Sequence, residues 1–192
     1  MKIGVLASQG AFAEHIAALH QLEVETLLVR LPQELTSLDG LIIPGGESTS
    51  ISSLMLGYNL MDEIRSLAKN GLPIFGTCAG MILLAKRGSD LSFEPIGVME
   101  ITVRRNAFGR QKDSFETELS ISVLGEKPFP GIFIRAPLIE QENSGVEILA
   151  RLADGTSVAA KQEKLLASAF HPELTNDLRL HQYFLDIVAG RQ

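Results

Sequence analysis

The chain has little of what would place a protein outside the cell or in a membrane. Its 192 residues include a single cysteine, Cys78, so an internal disulfide is impossible, which fits a reducing cytoplasm. No stretch approaches the roughly 18 consecutive apolar residues of a membrane span. The apolar run from Ile3 to Ala7 is shorter than the core of a signal peptide, which takes about 7 residues or more. We therefore expect a cytoplasmic protein that does not interact with membranes.

Positive charge is also scarce. The 17 Lys and Arg residues are outnumbered by 23 Asp and Glu residues, which gives a net charge of -6. Nucleic-acid-binding proteins usually present a basic surface to the phosphate backbone, and here acidic residues closely follow the small basic cluster of Arg104, Arg105 and Arg110. We therefore expect no nucleic-acid partner. Internal repeats and linkers are absent too, and the length suits one domain that spans residues 1–192.

The first half of the chain alternates between short apolar runs and segments with helical periodicity. The apolar runs predict strands at Lys2–Ala7, at Val24–Val29, at Gly40–Ile43 and directly after the Gly71–Pro73 turn. Helices are predicted over Ala11–Leu22, over about Leu60–Lys69, after Gly80, and after Ser48 or Thr49 as an N-cap. Four alternations of strand and helix predict a parallel sheet with right-handed crossovers.

Beyond Gly88, strand-like segments follow one another without helices between them. They are Val98–Val103, Glu116–Val123, Gly131–Ile134 and Val146–Leu152, followed by a hairpin of Ser157–Ala160 with Leu165–Phe170. A last helix is expected over Leu178–Val188, with Asn176 or Asp177 as its N-cap. Together these patterns predict an α/β fold: a three-layer sandwich around a mostly parallel sheet, with an antiparallel or mixed extension that covers one side of the site.

Cys78 stands at the centre of Gly76–Gly80, a G-x-C-x-G pattern between a predicted strand and a predicted helix. This is the thiol form of the nucleophile elbow, a sharp turn that forces its central residue into a strained backbone conformation. The turn also places the sulfur near a helix N-terminus, where the dipole stabilises a thiolate. A lone cysteine is more often a small buried apolar residue. The flanking glycines, which let strand and helix pass closely, favour the nucleophile here.

A cysteine nucleophile needs a base, and the chain contains four histidines. His15 and His20 fall on the first predicted helix and His181 on the last, and we interpret all three as surface residues. His171 instead ends an apolar strand and precedes a proline, which favours extended backbone. In an extended chain Glu173 points to the same side as His171, so its carboxylate can fix the tautomer of the ring.

An oxyanion hole in elbow enzymes combines the N–H of the residue after the nucleophile with an N–H from the loop after the third strand. In this chain these positions are Ala79 and the Gly45–Gly46 turn. A tight structural turn would explain the two glycines equally well, so this motif alone leaves both interpretations open.

Several segments together carry a family resemblance. Pro44–Thr49 (PGGEST), Gly76–Met81 (GTCAGM) and Ala169–Glu173 (AFHPE) resemble the class I, triad-type glutamine amidotransferases. A narrower resemblance is to the glutaminase subunits of pyridoxal 5′-phosphate synthase. It is carried by PGGEST together with Leu6–Phe12 (LASQGAF), Arg104–Asn106 (RRN) and Ile134–Pro137 (IRAP). The match extends over nearly the whole chain, from the first strand to the last helix.

The resemblance implies hydrolysis of L-glutamine to L-glutamate and ammonia by a triad of Cys78, His171 and Glu173, with no metal or bound cofactor. It implies that the ammonia passes to a separate synthase subunit that builds pyridoxal 5′-phosphate, the active form of vitamin B6. The oxyanion would be held by backbone N–H groups near Gly46 and Ala79. The glutamine-binding residues that the resemblance implies are Gly46, Glu47, Ser48, Arg105, Ile134 and Arg135.

The chemistry of free glutamine agrees in part with these roles. Glutamine is a zwitterion, so its pocket needs an acceptor for the ammonium and donors for the carboxylate. Glu47 and Arg105 suit these tasks, although an exposed arginine pair on a strand is more often solvated surface. Two other functions stay open: a glutaminase for a different synthase or another cysteine hydrolase, and a non-enzymatic regulatory subunit on the same fold. The presence of all three triad residues disfavours the regulatory subunit.

Overall fold

The computed structural model describes residues 1–107 and 114–191. Its helices are α1 Phe12–Gln21, α2 Ser48–Gly57, α3 Leu60–Lys69, α4 Ala79–Leu84 and α5 Arg179–Val188. Its strands are β1 Lys2–Leu6, β2 Glu25–Val29, β3 Gly40–Ile43, β4 Ile74–Thr77, β5 Ala85–Gly88, β6 Met99–Arg104, β7 Ser114–Leu119, β8 Phe129–Ile134, β9 Leu138–Glu142, β10 Glu147–Arg151, β11 Ser157–Gln162 and β12 Leu165–Ser168. Arg110 of the basic cluster lies outside the described residues.

One large sheet organises the molecule. Within the described ranges it is 10-stranded, in the order β2-β1-β3-β4-β12-β11-β9-β6-β5, and β10 pairs with β11 beside this path. Strands β2, β1, β3, β4 and β12 pair in parallel. From β12 onward the pairs are antiparallel, except for the edge pair of β5 and β6. The mostly parallel sheet with an antiparallel extension is therefore confirmed.

Helices cover both faces of the parallel part. Helix α1 follows β1 and leads to β2 on one side, whereas α2 and α3 connect β3 to β4 on the other side of β1. Because such crossovers are right-handed, a reversal of direction along the sheet moves the helix to the opposite face. Helix α5 packs on the face of α1, where the ring centroids of His15 and His181 are 5.2 Å apart. The predicted three-layer α/β fold is thus confirmed, and its reversal between β1 and β3 opens a crevice at the carboxyl ends of the strands.

Burial follows from this layering. Strands β3, β4 and β12 are buried along their whole length, as expected for parallel strands with helices on both faces. Phe75 of β4 packs against Phe184 of α5 with ring centroids 5.7 Å apart, which fixes the last helix against the central strands. No helix within the described ranges combines the length and the apolar character that crossing a bilayer would need.

Some expected elements differ from the structure. The connection from β2 to β3 holds only a short 3-10 turn, Pro32–Leu35, so strand and helix do not alternate there. The strand expected over Glu116–Val123 ends at Leu119, and its tail becomes a 3-10 turn. Helix α5 begins at Arg179, later than expected, and its N-cap is Leu178 and not Asn176 or Asp177. The side chain of Asp177 still accepts the N–H of Arg179.

The extension also contains strands that the sequence pattern did not indicate. Strand β5 follows α4 without a loop, and β9 joins β6 to β11. Strands β7 and β8 form a separate antiparallel pair, in which Phe115 and Phe133 stack with centroids 4.6 Å apart. The ends of this pair, at Ser114 and Ile134, reach the cavity described below.

Candidate active site

A cavity of about 620 Å3 lies at the carboxyl ends of the parallel strands. The residues expected to act on or bind glutamine that line it are Gly46, Glu47, Ser48, Cys78, Ala79, Arg105, Ile134, Arg135 and His171. Four residues that were not among the expected site residues complete its wall: Ile82, Ser114, and Gln9 and Asn106 from the family motifs. A larger groove of about 800 Å3 beside Arg179 is lined by neither cysteine nor histidine, so the smaller cavity is the one with reactive groups.

Cys78 occupies the elbow that the sequence predicts. Its backbone angles are φ 49° and ψ -102°, which an L-residue adopts only under strain. The conformation is held by a hydrogen bond from the Cys78 N–H to the carbonyl oxygen of Ser168, 2.7 Å long. A Cβ atom on Gly80 would lie 2.0 Å from the carbonyl oxygen of Ile43, so only glycine permits α4 to start this close to β3. The side chain of Cys78 is buried except for 6% of its surface.

His171 and Glu173 form a close pair beside the cysteine. Nδ1 of His171 donates to Oε1 of Glu173 across 2.7 Å, and both residues are 7% exposed. The contact is the expected one, but Glu173 lies in a 3-10 turn and not in extended chain. Burial of the His171 ring lowers its pKa, but the hydrogen bonds and charges of Cys78 and Glu173 outweigh burial and raise the pKa to about 10. His171 therefore favours its protonated, imidazolium form, next to Cys78 and the carboxylate of Glu173.

The glycine loop packs directly on these groups. A Cβ atom on Gly45 would lie 2.4 Å from Cε1 of His171 and 3.3 Å from Cβ of Cys78, so a larger residue would displace the His171 ring. The N–H of Gly45 donates to Oγ1 of Thr77 at 3.1 Å, and its carbonyl oxygen accepts the N–H of Ala11 at 3.1 Å. Both faces of this loop are thus held by neighbouring elements.

Glu47 has a structural role that the sequence interpretation assigned to its neighbours. Ser48 and Thr49 are not the N-cap of α2; Glu47 is, and its side chain accepts from the N–H groups of Thr49 at 3.0 Å and Ser50 at 2.7 Å. The hydroxyl of Ser50 donates to the same carboxylate at 2.7 Å. The hydrogen bond from this hydroxyl is the largest of the interactions that lower the pKa of Glu47 to about 2. The hydrogen bonds from the two backbone N–H groups lower the pKa further.

Arg105 approaches the same carboxylate from the other side of the cavity. Its Nη2 lies 3.4 Å from Oε1 of Glu47, and its Nη1 lies 3.4 Å from Oγ1 of Thr49. The guanidinium also lies over the ring of Phe93, 6.0 Å from the centroid. The guanidinium of Arg105 therefore lies at the cavity wall, where its contacts with Glu47 and Thr49 are long and the ring of Phe93 supports its position.

The interpretation of His15 and His181 as surface residues is wrong. Both are fully buried, whereas His20 is exposed as expected. His15 stands three residues after Phe12 and four before Leu19, a spacing that places it on the apolar face of the helix. His181 stands three residues before Phe184 and four before Leu185, which likewise places it on the apolar face of its helix. This spacing was the sequence signal that could have identified both as buried.

A cysteine strained between strand and helix, next to an imidazole–carboxylate pair at the edge of a parallel sheet, defines the nucleophile-elbow class of α/β enzymes. Comparison with known proteins narrows this class. The chain belongs to the SNO glutamine amidotransferase family, whose model matches residues 5–189. The resemblance seen in the sequence is thereby confirmed.

Individual relatives agree with the family over nearly their whole length. The chain is 56% identical over 190 residues to the pyridoxal 5′-phosphate synthase subunit PdxT of Herpetosiphon aurantiacus, with 97% of this chain and 100% of that protein covered. It is 54% identical over 188 residues to the subunit of the same name from Carboxydothermus hydrogenoformans, with 98% of each covered. A crystal structure of a glutamine amidotransferase matches with a TM-score of 0.92 at 49% identity, covering 97% of this chain and 98% of the other.

Proposed function

We propose that this chain hydrolyses L-glutamine to L-glutamate and ammonia and supplies the ammonia to the synthase subunit of pyridoxal 5′-phosphate synthase. The observation that carries the chemistry is the strained Cys78 beside the His171–Glu173 pair at the cavity. The synthase partner follows from the relatives that bear the name of that enzyme's subunit. The proposal includes a cytoplasmic location and a single functional domain over residues 1–192.

The first step forms a thioester. The Cys78 thiolate attacks the carboxamide carbon of glutamine, and the electron pair of the C=O bond moves to oxygen. The N–H groups of Ala79 and Gly46 stabilise this oxyanion, and each such donor is worth about 10²–10³-fold in rate. When the C–N bond breaks, His171 donates its proton to the departing nitrogen and ammonia is released.

The electrostatics of His171 suit both steps. In the resting site the hydrogen bond and charge of Cys78 contribute to its high pKa, so the imidazolium keeps its proton until the thiolate reacts. Once the sulfur is bonded to carbon, that contribution is lost and the pKa of His171 falls. The neutral ring then takes a proton from water, whose oxygen attacks the thioester. Glutamate leaves, and the thiolate and the imidazolium are restored.

The Glu47–Arg105 contact provides a place for the zwitterion. With Thr49, Ser50 and Arg105 as donors, the carboxylate of Glu47 has four contacts, which equals its number of lone-pair sites. The long Arg105 contact is the one that a substrate ammonium replaces. The guanidinium released from Glu47 then takes the substrate carboxylate, for which its donor geometry is suited.

The other residues of the predicted set complete the pocket. The carbonyl oxygen of Ile134 lies 3.9 Å from Sγ of Cys78, which supports a role for this backbone in binding glutamine near the reacting carbon. Ser48 and Arg135 line the same cavity, which supports their part in binding the glutamine backbone.

Incubation with glutamine labelled with 15N at the amide tests the proposal. Labelled ammonia should appear in amounts equal to glutamate, and the purified synthase subunit should consume it when sugar phosphates are present. Asparagine, which is one methylene shorter, is the matched control and should give little ammonia. No ammonia with or without the synthase subunit would indicate a regulatory subunit, and ammonia that the synthase never uses would indicate another partner.

A further inference from the structure

A second buried imidazole lies directly behind the His171–Glu173 pair. His15 is fully buried, and its Nε2 lies 3.1 Å from Oγ1 of Thr77 and 3.4 Å from Oε2 of Glu173. On the other side of the ring, Nδ1 lies 3.0 Å from Nε2 of His181. The reaction steps given above use none of these contacts, so this polar cluster at the back of the site still needs a role.

One placement of protons satisfies the cluster best. Oε2 of Glu173 has no hydrogen-bond partner at normal geometry among the described residues. With its proton on Nε2, His15 donates toward this oxygen and toward the Thr77 hydroxyl, which can accept a second bond. Without that proton, the nitrogen lone pair would face the carboxylate, and Oε2 of Glu173 would be left without any donor, which is costly in a buried site. Nδ1 of His15 then accepts the Nε2–H of His181.

Both rings of the cluster stay neutral. Burial lowers the pKa of His15 well below its ordinary value, and the neighbouring His181 and His171 lower it further. Burial also lowers the pKa of His181 to about 4. His15 is therefore a neutral donor to Glu173 and leaves the charge of that carboxylate to the imidazolium of His171.

We propose that His15 is a positioning residue of the reaction: its Nε2–H holds the carboxylate of Glu173 in line with His171 and holds the Thr77 side chain that supports Gly45. The inference rests on the proposed glutaminase function and deepens it. His15 does not line the cavity, so it acts only through the residues it contacts.

Thr77 extends this effect to the oxyanion side of the site. Its Oγ1 accepts the N–H of Gly45 at 3.1 Å, and Gly45 directly precedes Gly46, one of the two proposed oxyanion donors. The imidazole of His15 thus contacts both Glu173, which orients His171, and Thr77, which holds the glycine loop. A misplacement of a catalytic group by about 1 Å can cost about 10²-fold in rate. We therefore expect the contacts of His15 with Glu173 and Thr77 to affect turnover.

Two substitutions of similar polarity separate positioning from packing. His15→Gln keeps an amide N–H near the place of Nε2, whereas His15→Asn keeps one near the place of Nδ1 and leaves Glu173 without its donor. With the synthase subunit present, we expect kcat to fall about 10- to 100-fold in His15→Asn, the range found for outer partners of metal-bound histidines, with KM little changed. His15→Gln should retain most of kcat. His20→Gln and His20→Asn are the matched controls, because His20 is exposed on the same helix and its ring contacts the nearby Thr26 hydroxyl, away from Glu173.

The ratio of kcat between the two His15 variants decides the inference. Equal values, or a faster His15→Asn, overturn it. If either variant fails to fold, 15N NMR of the wild-type histidines decides instead: a His15 protonated at Nε2 supports the role, and one protonated at Nδ1 overturns it. A wild-type chain that releases no ammonia contradicts the proposed function itself, whereas an active wild type with equal variants contradicts only the role of His15.

Discussion

Nδ1 of His171 lies 2.7 Å from Oε1 of Glu173 although only one residue, Pro172, separates them in the chain. A 3-10 turn over Pro172–Leu174 makes this contact possible, with His171 at its N-cap position. Proline suits the first position of such a turn because its φ is already helical and it has no N–H to satisfy. The imidazole and the carboxylate are therefore held by one short, rigid element, so their relative position depends little on the rest of the fold.

This arrangement predicts unequal and non-additive losses. Removing His171 should cost about 10²–10⁴-fold in kcat, the usual value of general acid–base help, and Glu173→Gln should cost less because the ring itself remains. The double variant should be little worse than His171→Ala, since the two groups act as a unit. Steady-state kinetics of the three variants check this. Losses that multiply would mean that Glu173 works elsewhere.

The elbow geometry predicts that one sulfur carries the reaction. Cys78→Ala should abolish ammonia release and leave the melting temperature close to that of the wild type, because the change removes one atom from a nearly buried position. A glutamine-like electrophile should label the wild type at Cys78, which mass spectrometry of the intact chain and its peptides detects. Turnover that survives in Cys78→Ala would remove the thioester from the mechanism.

The electrostatics of His171 predict a pH dependence with a definite sign. Its pKa of about 10 in the folded chain lies above the ordinary value of about 6.5 in unfolded chain. The stability contributed by this shift is therefore fully present below about pH 6.5 and is lost as pH rises through about 10. In Cys78→Ala the pKa of His171 should fall, because one of its two charged hydrogen-bond partners is gone. NMR titration of His171 in both proteins measures this, and identical titration curves would show that the thiolate does not support the imidazolium.

The features that could be predicted from sequence are those that depend on near neighbours in the chain. The elbow needs only a strand, two glycines around Cys78 and a helix, all within Ile74–Leu84. The His171–Glu173 contact likewise depends on a spacing of two residues. For the same reason the β11–β12 hairpin, with its short turn, was expected correctly.

The features that could not be predicted depend on packing between distant segments. His15 and His181 are 166 residues apart in the chain, and their contact exists only because α1 and α5 share one face of the sheet. Strand β9 (LIEQE) has one buried residue and a mainly exposed remainder, so its apolar pattern is too weak to indicate a strand. The N-cap role of Glu47 was missed because Ser and Thr are the more usual capping residues.

The exchange of partners at Glu47 predicts how Arg105 affects substrate binding. Arg105→Met keeps much of the packing over Phe93 but removes the donors for the glutamine carboxylate. We expect KM for glutamine to rise well beyond any change in kcat, because an interaction made equally in substrate and transition state affects KM alone. Arg104→Met is the matched control, since Arg104 is the neighbouring exposed arginine and pairs with Glu140 away from the cavity. A fall in kcat with KM unchanged would contradict this role of Arg105.

The glycine loop predicts that the isolated chain is a poor glutaminase and that the synthase subunit activates it. The carbonyl oxygen of Gly45 accepts the N–H of Ala11, and the N–H of Gly46 belongs to the same planar peptide and points the opposite way. We expect the partner to dock at the Ser8–Ala11 turn, which would let it act on the hydrogen bond that sets the direction of this oxyanion donor. Gaining or losing one such donor changes turnover about 10²–10³-fold, which is enough for a switch that leaves the triad in place.

Ammonia release measured across a titration with the purified synthase subunit tests this switch. We expect kcat to rise with bound partner and KM to change little, because the oxyanion donor acts in the transition state. Gly46→Val should prevent the rise, since its Cβ would already lie 3.1 Å from Cδ1 of Ile51 and 3.2 Å from Oε1 of Gln9. Gly57→Val is the matched control, because a Cβ there meets nothing within 4 Å. A flat titration, with full activity already present in the isolated chain, would show that the loop is set without the partner.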